Sequence, residues 1–445
     1  VAAVSIPVAI AYAEVAGLSP SAGLYSSILP MIVYALAGTS RQMIIGPDAA
    51  TCAMIAAVVA PLAAGNSGVY LSFSIALTLI TGIFCIAASF LRLGGLADFL
   101  ARPILVGLLN GISLSIMVGQ VGKVLGSKGQ ASRFFRQILE IPELVLQAHV
   151  PTVLLSLGCV LVMSVMPRLS KRIPASLVTM ILAALAAYSL RLDEMGVALI
   201  GPVASGLPTL DWPELQLHEV GDLAGSAAGL GLVLFTSGML TARSFAERNR
   251  YDIDVDREFA AFGMANIVSA LSQGFAVTGS SSRTAVNDAN GGRTQMVSII
   301  AAVAIALLLL AGTASLAWLP IPALGVVLIF ASWSLLDLQV FRRYHQVERA
   351  ALLLGAVTML GVLAFGAIKA IMLAVTLALL MFVRRVARPA LEELVVVDGR
   401  SGLYNRLLFP AATPIGGLLL LRFCGPLVFF NASHFRSEVQ RAIAR

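Results

Sequence analysis

Residues Ala276 to Arg293 read AVTGSSSRTAVNDANGGR, and the reading of this stretch decides what fold the chain must build around it. Three consecutive serines, Ser280, Ser281 and Ser282, and then Arg283 follow a glycine at the point where a helix-forming run begins. A helix start leaves its first backbone N–H groups without intrahelical partners and carries the positive end of the helix dipole. Joined to hydroxyls and one fixed guanidinium charge, that is the chemistry of an anion site.

The surroundings are apolar. Of 445 residues, 58% are hydrophobic and only 12% charged, and the mean hydropathy is +0.92. A soluble domain carries about 25% charged residues, so the chain reads as an all-α polytopic membrane protein embedded in a lipid bilayer. The net charge of +7 implies no nucleic-acid partner, because loop arginines in membrane proteins mainly set topology. Cys52, Cys85, Cys159 and Cys424 form no CxxC pair, and the four histidines lie far apart. Neither a metal site nor a cofactor is expected.

A span needs about 20 apolar residues. On that basis the first half holds seven runs: Val1–Ala16, Gly23–Gly38, Met43–Ala64, Tyr70–Leu91, Ala101–Val121, Pro151–Met166 and Ile173–Leu190. Ser132–Ala148 is amphipathic and is expected along an interface. A polar stretch, Arg191–Asp222, separates the halves. The second half starts with Leu223–Ala246, the charged loop ERNRYDIDVDRE and Phe259–Phe275. The opening stretch follows, with its helix from Ser280, and then Ile299–Thr313, Leu319–Leu336, Ala350–Phe365 and Ile368–Val383.

Fourteen segments as seven plus seven make the second repeat inverted, since each half has an odd count. The third segment of each half has the same form: an extended piece, a glycine, then a helix start. Paired interruptions at corresponding positions point to a transporter's substrate site. Placing the first N-terminus in the cytoplasm puts most basic side chains inside, Arg41, Arg92, Arg243 and Arg384 among them. A smaller group, mostly within Lys123–Arg136, falls outside, in accord with the positive-inside rule. After Arg388, LEELVVVDGR and GGLLLLRFCGPLVFFNASHF contain runs of strand length, and SEVQRAIAR reads as helix. A small cytoplasmic α/β domain is expected to start there and to stop partway, because roughly 55 residues do not easily complete one. Val1 lies inside an apolar run, so the natural N-terminus is expected upstream.

Several residues invite chemistry on their own terms. Arg283 at membrane depth costs at least about 2.5–3.5 kcal/mol on insertion scales and needs an anion, a carbonyl or an acid such as Asp288. Gly46, Pro47, Asp48 and Ala49 open the facing helix of the first half, with Pro47 suited to a first turn. Two half-helix N-termini would then converge on one substrate. Asp48 is discordant there: a good cap, yet repulsive to an anion unless protonated or turned away. Glu14 is an acid in the first span, close to its end at Gly17. Burial disfavours the charged form of a carboxyl, so Glu14 is the candidate proton carrier. Pro7 can kink this helix, and Tyr12 is placed to line the pocket. Asn110 and Asn287 are expected to be interhelical hydrogen-bond partners.

IPVAIAYAEVAGLSPSAGLYSS, SRQMIIGPDAAT and AVTGSSSRTAVNDANGGRTQ resemble the signatures of the sulfate permease (SulP) family, whose animal members are the solute carrier family 26 anion transporters, including prestin. The terminal GGLLLLRFCGPLVFFNASHF resembles the opening strands of that family's STAS domain. The resemblance implies a core domain and a gate domain in residues 1–388, with repeats at 1–190 and 223–388. It also implies the first part of a cytoplasmic STAS domain in 389–445, homodimers, and secondary transport of small anions across the plasma membrane. Arg283 matches a family position associated with the anion. Ser281 stands where the family has a bulky residue, and Asp48 where it often has an apolar one. Val8 replaces a common Gln after Pro7, and Ser237 falls where many members carry an acid. With no acid anywhere in Leu223–Ala246, sodium coupling is disfavoured and Glu14 becomes the coupling group.

The expected function is secondary active transport of a small anion, by proton symport through Glu14. A C4-dicarboxylate such as fumarate is favoured slightly by the small Val8 and Ser281, over sulfate or bicarbonate. An exchanger, an uncoupled anion channel or a voltage-driven motor is the competing class.

Overall fold

The computed structural model describes all residues except 64, 93–101, 128, 130, 132, 170–172, 211–216, 348, 398–401, 410, 411, 413–416 and 445. Ala64, Ala101, Ser132 and parts of the predicted runs 191–222, 391–400 and 416–435 therefore lie outside the described residues.

Helix α1 (Ala2–Val15) carries Pro7 in its interior. The single run predicted over Gly23–Gly38 is in fact two helices, α2 (Pro20–Tyr25) and α3 (Leu29–Ala37), each with proline in its first turn. Pro30 has no N–H to continue a helix, and the break lets the Ser26 hydroxyl accept the Phe275 amide of the other half at 2.8 Å. Strand β1 (Ile45–Gly46), α4 (Ala49–Ala63), α5 (Ser67–Phe90) and α6 (Arg102–Leu125) follow. The predicted interfacial segment is α7 (Phe134–Leu146), and α8 (Val150–Leu169) and α9 (Ala175–Ser189) complete the first half.

The second half runs α10 (Leu217–Asn249), α11 (Val255–Leu271), β2 (Thr278–Gly279), α12 (Ser281–Ala289), α13 (Met296–Ala311), α14 (Thr313–Leu316), α15 (Ile321–Leu335), α16 (Leu338–Val347), α17 (Arg349–Phe365) and α18 (Ala367–Ala387). Seven of the described helical segments are long and apolar enough to cross a membrane, and five shorter helices are apolar.

By its internal contacts the chain divides into Val1–Leu373 and Ala374–Arg445. In the second unit β3 (Leu391–Val396) lies between β4 (Leu403–Asn405) and β5 (Leu420–Phe423), antiparallel to both, and α19 (Ala432–Ile443) follows.

Within the first unit the helices pack as two groups, and each group draws on both halves of the sequence. One is α1–α5 with α10–α13; the other is α6–α9 with α15–α17. Small residues let their axes approach, as membrane packing requires. A Cβ on Gly263 would come within 2.8 Å of the Gly82 carbonyl oxygen, joining α11 to α5. In the second group a Cβ on Gly107 would come within 2.3 Å of the Gly355 carbonyl oxygen, joining α6 to α17. On the outward faces of α8 and α9, Leu154, Leu157, Leu161, Leu182 and Leu185 stand exposed, as side chains against hydrocarbon do.

Gly107→Ala should lower the thermal midpoint of the detergent-purified protein by an overpacking cost of about 1–3 kcal/mol. Gly119→Ala, on the same helix with nothing within 4 Å of its Cβ, should leave the midpoint unchanged or raise it slightly. Equal midpoints for the two variants would contradict the close α6–α17 contact.

Candidate functional site

The two interrupted segments meet as a strand pair. Ile45 is opposite Gly279 and Gly46 opposite Thr278, antiparallel, and all four are buried. At this depth water cannot satisfy the backbone, so neighbouring groups must. The Ser280 amide donates to the Ile44 carbonyl at 2.9 Å, and the Ile44 amide donates to Thr284 Oγ1 at 3.0 Å. Asn266 accepts from the Val277 amide and donates to its carbonyl. Asn287 donates to the Gln42 carbonyl, and Gln295 donates to those of Ser40 and Met43. The pair therefore starts α4 and α12 from one fixed point.

Arg283, in the first turn of α12, has no solvent exposure at all. Its Nη2 donates to the Pro47 carbonyl at 2.5 Å, which ties α12 to the start of α4. Its Nε and Nη1 are buried with no hydrogen-bond partner among the described residues. Asp288, an acid that could have paired with it, instead meets Arg248 at 3.3 Å and accepts from Asn249. Gly46 is what admits the guanidinium, since a Cβ there would lie 2.5 Å from Nη1.

The two helix starts differ. Ser280 caps α12, its hydroxyl accepting the Arg283 amide, while Ser281 and Ser282 are exposed. Ser281 Oγ is 2.7 Å from Thr241 Oγ1 on α10, and Ser282 Oγ is 3.3 Å from Ser280 Oγ. The start of α12 thus carries two exposed serines beside the capping Ser280. At α4, Asp48 is half-buried and its Oδ2 accepts the Ala50 amide at 3.2 Å, while its carbonyl accepts the Cys52 amide. Asp48 is the cap of α4, turned onto its own helix. Ala49 follows it and is buried.

Other residues singled out by sequence divide. Tyr12 is 6% exposed and lies near Asp48 and Arg283. Val8 and Ser237 are half-buried. The Ser237 carbonyl accepts from Thr241, the partner of Ser281. Glu14 pairs with Lys123 Nζ on α6 at 2.8 Å. Asn110 accepts the Asp337 amide across the gap between α6 and α16. Two apolar cavities, about 430 and 550 Å3, lie elsewhere, along α9.

Sequence reasoning missed Lys123 as the partner of Glu14, and it missed Glu258. Read as the end of a charged loop, Glu258 is fully buried in the first turn of α11. Its carboxylate accepts from Tyr34 Oη at 2.8 Å, from the Thr39 amide and hydroxyl at 2.6 Å each, and from the Ser40 amide at 3.0 Å. It anchors the loop that leads into β1. The only signal was its place four residues after Asp254, the α11 cap.

Against known proteins, the model of the Sulfate permease family matches residues 1–358. The chain belongs to that family. Its members are membrane anion transporters, not enzymes. The chain is 39% identical to a probable sulfate transporter of Mycobacterium tuberculosis over 98% of its own length and 78% of that protein's. It is 29% identical to sulfate transporter 1.2 of Arabidopsis thaliana over 99% of its length and 70% of that protein's. Among solved structures, the fold is shared with the murine anion transporter Slc26a9 in its inward-facing state, at TM-score 0.88, 20% identity, and coverage of 99% of this chain and 76% of that one. It is shared also with the transmembrane domain of the cyanobacterial bicarbonate transporter BicA, at TM-score 0.74, 23% identity, and coverage of 85% and 94%.

In this sulfate permease family member, Gly46→Ala should push the Arg283 guanidinium off its seat. The thermal stabilisation given by a fixed anion concentration should fall by at least half relative to the parent protein, because a bound ligand at free concentration L stabilises by RT ln(1 + L/Kd). An unchanged shift would mean that Arg283 does not need the space above Gly46.

Proposed function

We propose that the chain is a proton-coupled secondary transporter whose anion binds between the starts of α4 and α12. The observation that carries this reading is Arg283: fully buried, with two donor nitrogens unpartnered. A buried donor left without an acceptor costs about 1–3 kcal/mol, and more when charged. An anion beside the exposed Ser281 and Ser282 would answer that cost. Ser280, Ser281, Ser282, Arg283, Gly46, Pro47, Asp48, Ala49, Val8, Tyr12 and Ser237 make up the proposed binding region.

Sulfate is the proposed substrate, supported by the names of the relatives at 39% and 29% identity. A tetrahedral oxyanion suits a cluster of hydroxyls, amides and one guanidinium. A C4-dicarboxylate is the outcome that would replace it. The membrane part is proposed as fourteen segments in two inverted repeats, with α2 and α3 forming one segment and α11 and α12 counted among them. Residues 389–445 are proposed as the beginning of a cytoplasmic STAS domain, in a homodimer at the plasma membrane. One helix group moving past the other would carry the anion across.

Arg283→Ala should weaken sulfate binding about 10- to 100-fold, the value of a charge-assisted hydrogen bond, as read by titration calorimetry beside fumarate and bicarbonate. Wild-type affinity in that variant would remove the α12 start from the mechanism. In proteoliposomes, uptake should rise with an inward proton gradient, and Glu14→Gln should abolish that rise; a rise that survives the substitution rules Glu14 out as the coupling group.

A further inference from the structure

The ion pair between Glu14 and Lys123 joins the two helix groups. Glu14 sits in the last turn of α1, in the group that carries both helix starts of the candidate site; Lys123 sits in the last turn of α6, in the other group. Their charged atoms are 2.8 Å apart, and the side chains are only 27% and 32% exposed. The second carboxylate oxygen, Oε2, is buried without a hydrogen-bond partner among the described residues. Glu14 also lies at the C-terminal end of α1, where the helix dipole is unfavourable to a negative charge. Both features leave its charge dependent on the one cation opposite.

Among the described residues, the helices that pack against α1 bring no second cation to Glu14. The helices packed most extensively against α1 are α2, α4, α9, α13 and α15, and none of them contains Lys, Arg, His, Asp or Glu. Their titratable side chains are Tyr25, Cys52 and Tyr188. Asp48, before α4, is engaged as its cap, and Tyr70 of α5 donates to the Ala16 carbonyl. On the side of Lys123, α7 brings Arg136, Glu140 and Glu143, α8 brings Cys159 and Arg168, and α17 brings Arg349. Glu140 accepts the Ala131 amide, Glu143 accepts from Gln147, and Arg168 donates to the Ser164 carbonyl.

We propose that Lys123 is the counter-ion that Glu14 exchanges for a proton when the two helix groups separate. This inference rests on the proton-coupled reading above and adds to it the residue that makes the coupling cyclic. With the groups together, as here, Glu14 is a carboxylate held by Lys123. A shift of α1 against α6 parts the pair and leaves Lys123, already partly exposed, to water. Glu14 then takes a proton from water, because an unpaired buried carboxylate is far costlier than a neutral acid. Re-forming the pair returns that proton to water. Lys123 is thus a positioning residue: it touches Glu14, not the anion.

The test is uptake of radiolabelled sulfate into proteoliposomes, with and without an inward proton gradient, beside sulfate–sulfate counterflow. Lys123→Met should keep counterflow and sulfate affinity but lose the gradient stimulation, since Glu14 would then hold its proton in both arrangements. Lys123→Arg should restore the stimulation. A wild-type protein indifferent to the gradient would remove the proton-coupled reading itself. Stimulation that disappears in Glu14→Gln and persists in Lys123→Met would overturn the role of Lys123 alone. Should Lys123→Met fail to fold, Lys123→Cys in a Cys424→Ser background can be modified in the membrane with a cationic or a neutral methanethiosulfonate. Recovery with the cationic reagent only is the expected result; equal effects of both would make the pair merely structural and overturn the proposal.

Discussion

The structure depends on four residues of extended backbone buried where backbone is hardest to bury. Ile45–Gly46 and Thr278–Gly279 pair with each other because nothing else at that depth can satisfy them. A strand pair this short has no independent stability, so its neighbours must hold it. Side chains of the second half do so: Asn266 and Thr284 from one side, Asn287 and Gln295 on the loop before β1, and Glu258 behind them. Once the pair is fixed, the first turns of α4 and α12 have no freedom of position. Their amides and the Arg283 guanidinium are pre-arranged, and binding need not order them.

Arg283 is the second consequence of that crossing. Nη2 satisfies the Pro47 carbonyl, one of the acceptors freed where the chain changes from strand to helix. A neutral donor could have done as much. Nε and Nη1 have no hydrogen-bond partner among the described residues, and buried donors left unmet argue for a ligand. Glycine at position 46 suits the same contact, since a Cβ there would lie 2.5 Å from Nη1 and displace the guanidinium. The residue type at 46 and the charge at 283 therefore form one feature, although they are 237 positions apart by count in the sequence.

Much of this was legible beforehand because it is written in local pattern. The interruption in each half, with a glycine before a helix start, is a period change that composition cannot hide, and the structure places it at β1–α4 and β2–α12. Serine as the α12 cap and aspartate as the α4 cap follow from short-range rules. What was not legible is what depends on long-range pairing. Glu258 reads as one more charge in ERNRYDIDVDRE, and only the fold brings Tyr34, Thr39 and Ser40 to it. Lys123 reads as the first of a basic cluster outside the membrane, and only the packing of α6 brings it against Glu14. The division of Gly23–Gly38 into two helices was marked by Pro30, yet its reason, the bond from the Phe275 amide to Ser26, lies in the other half.

The asymmetry between the two helix starts bears on what the site can accept. Had both been uncapped by acids, the positive ends of two dipoles and a guanidinium would face one anion with nothing to offset them, and release would be slow. Asp48 spends its charge on the Ala50 amide and so cancels much of the α4 contribution near the site. The positive field then comes mainly from α12, through Arg283 and the amides beside Ser281 and Ser282. A carrier must bind well enough to select its substrate and weakly enough to release it on the far side, and in the proposed site the one acid on the opposing helix start would supply that moderation.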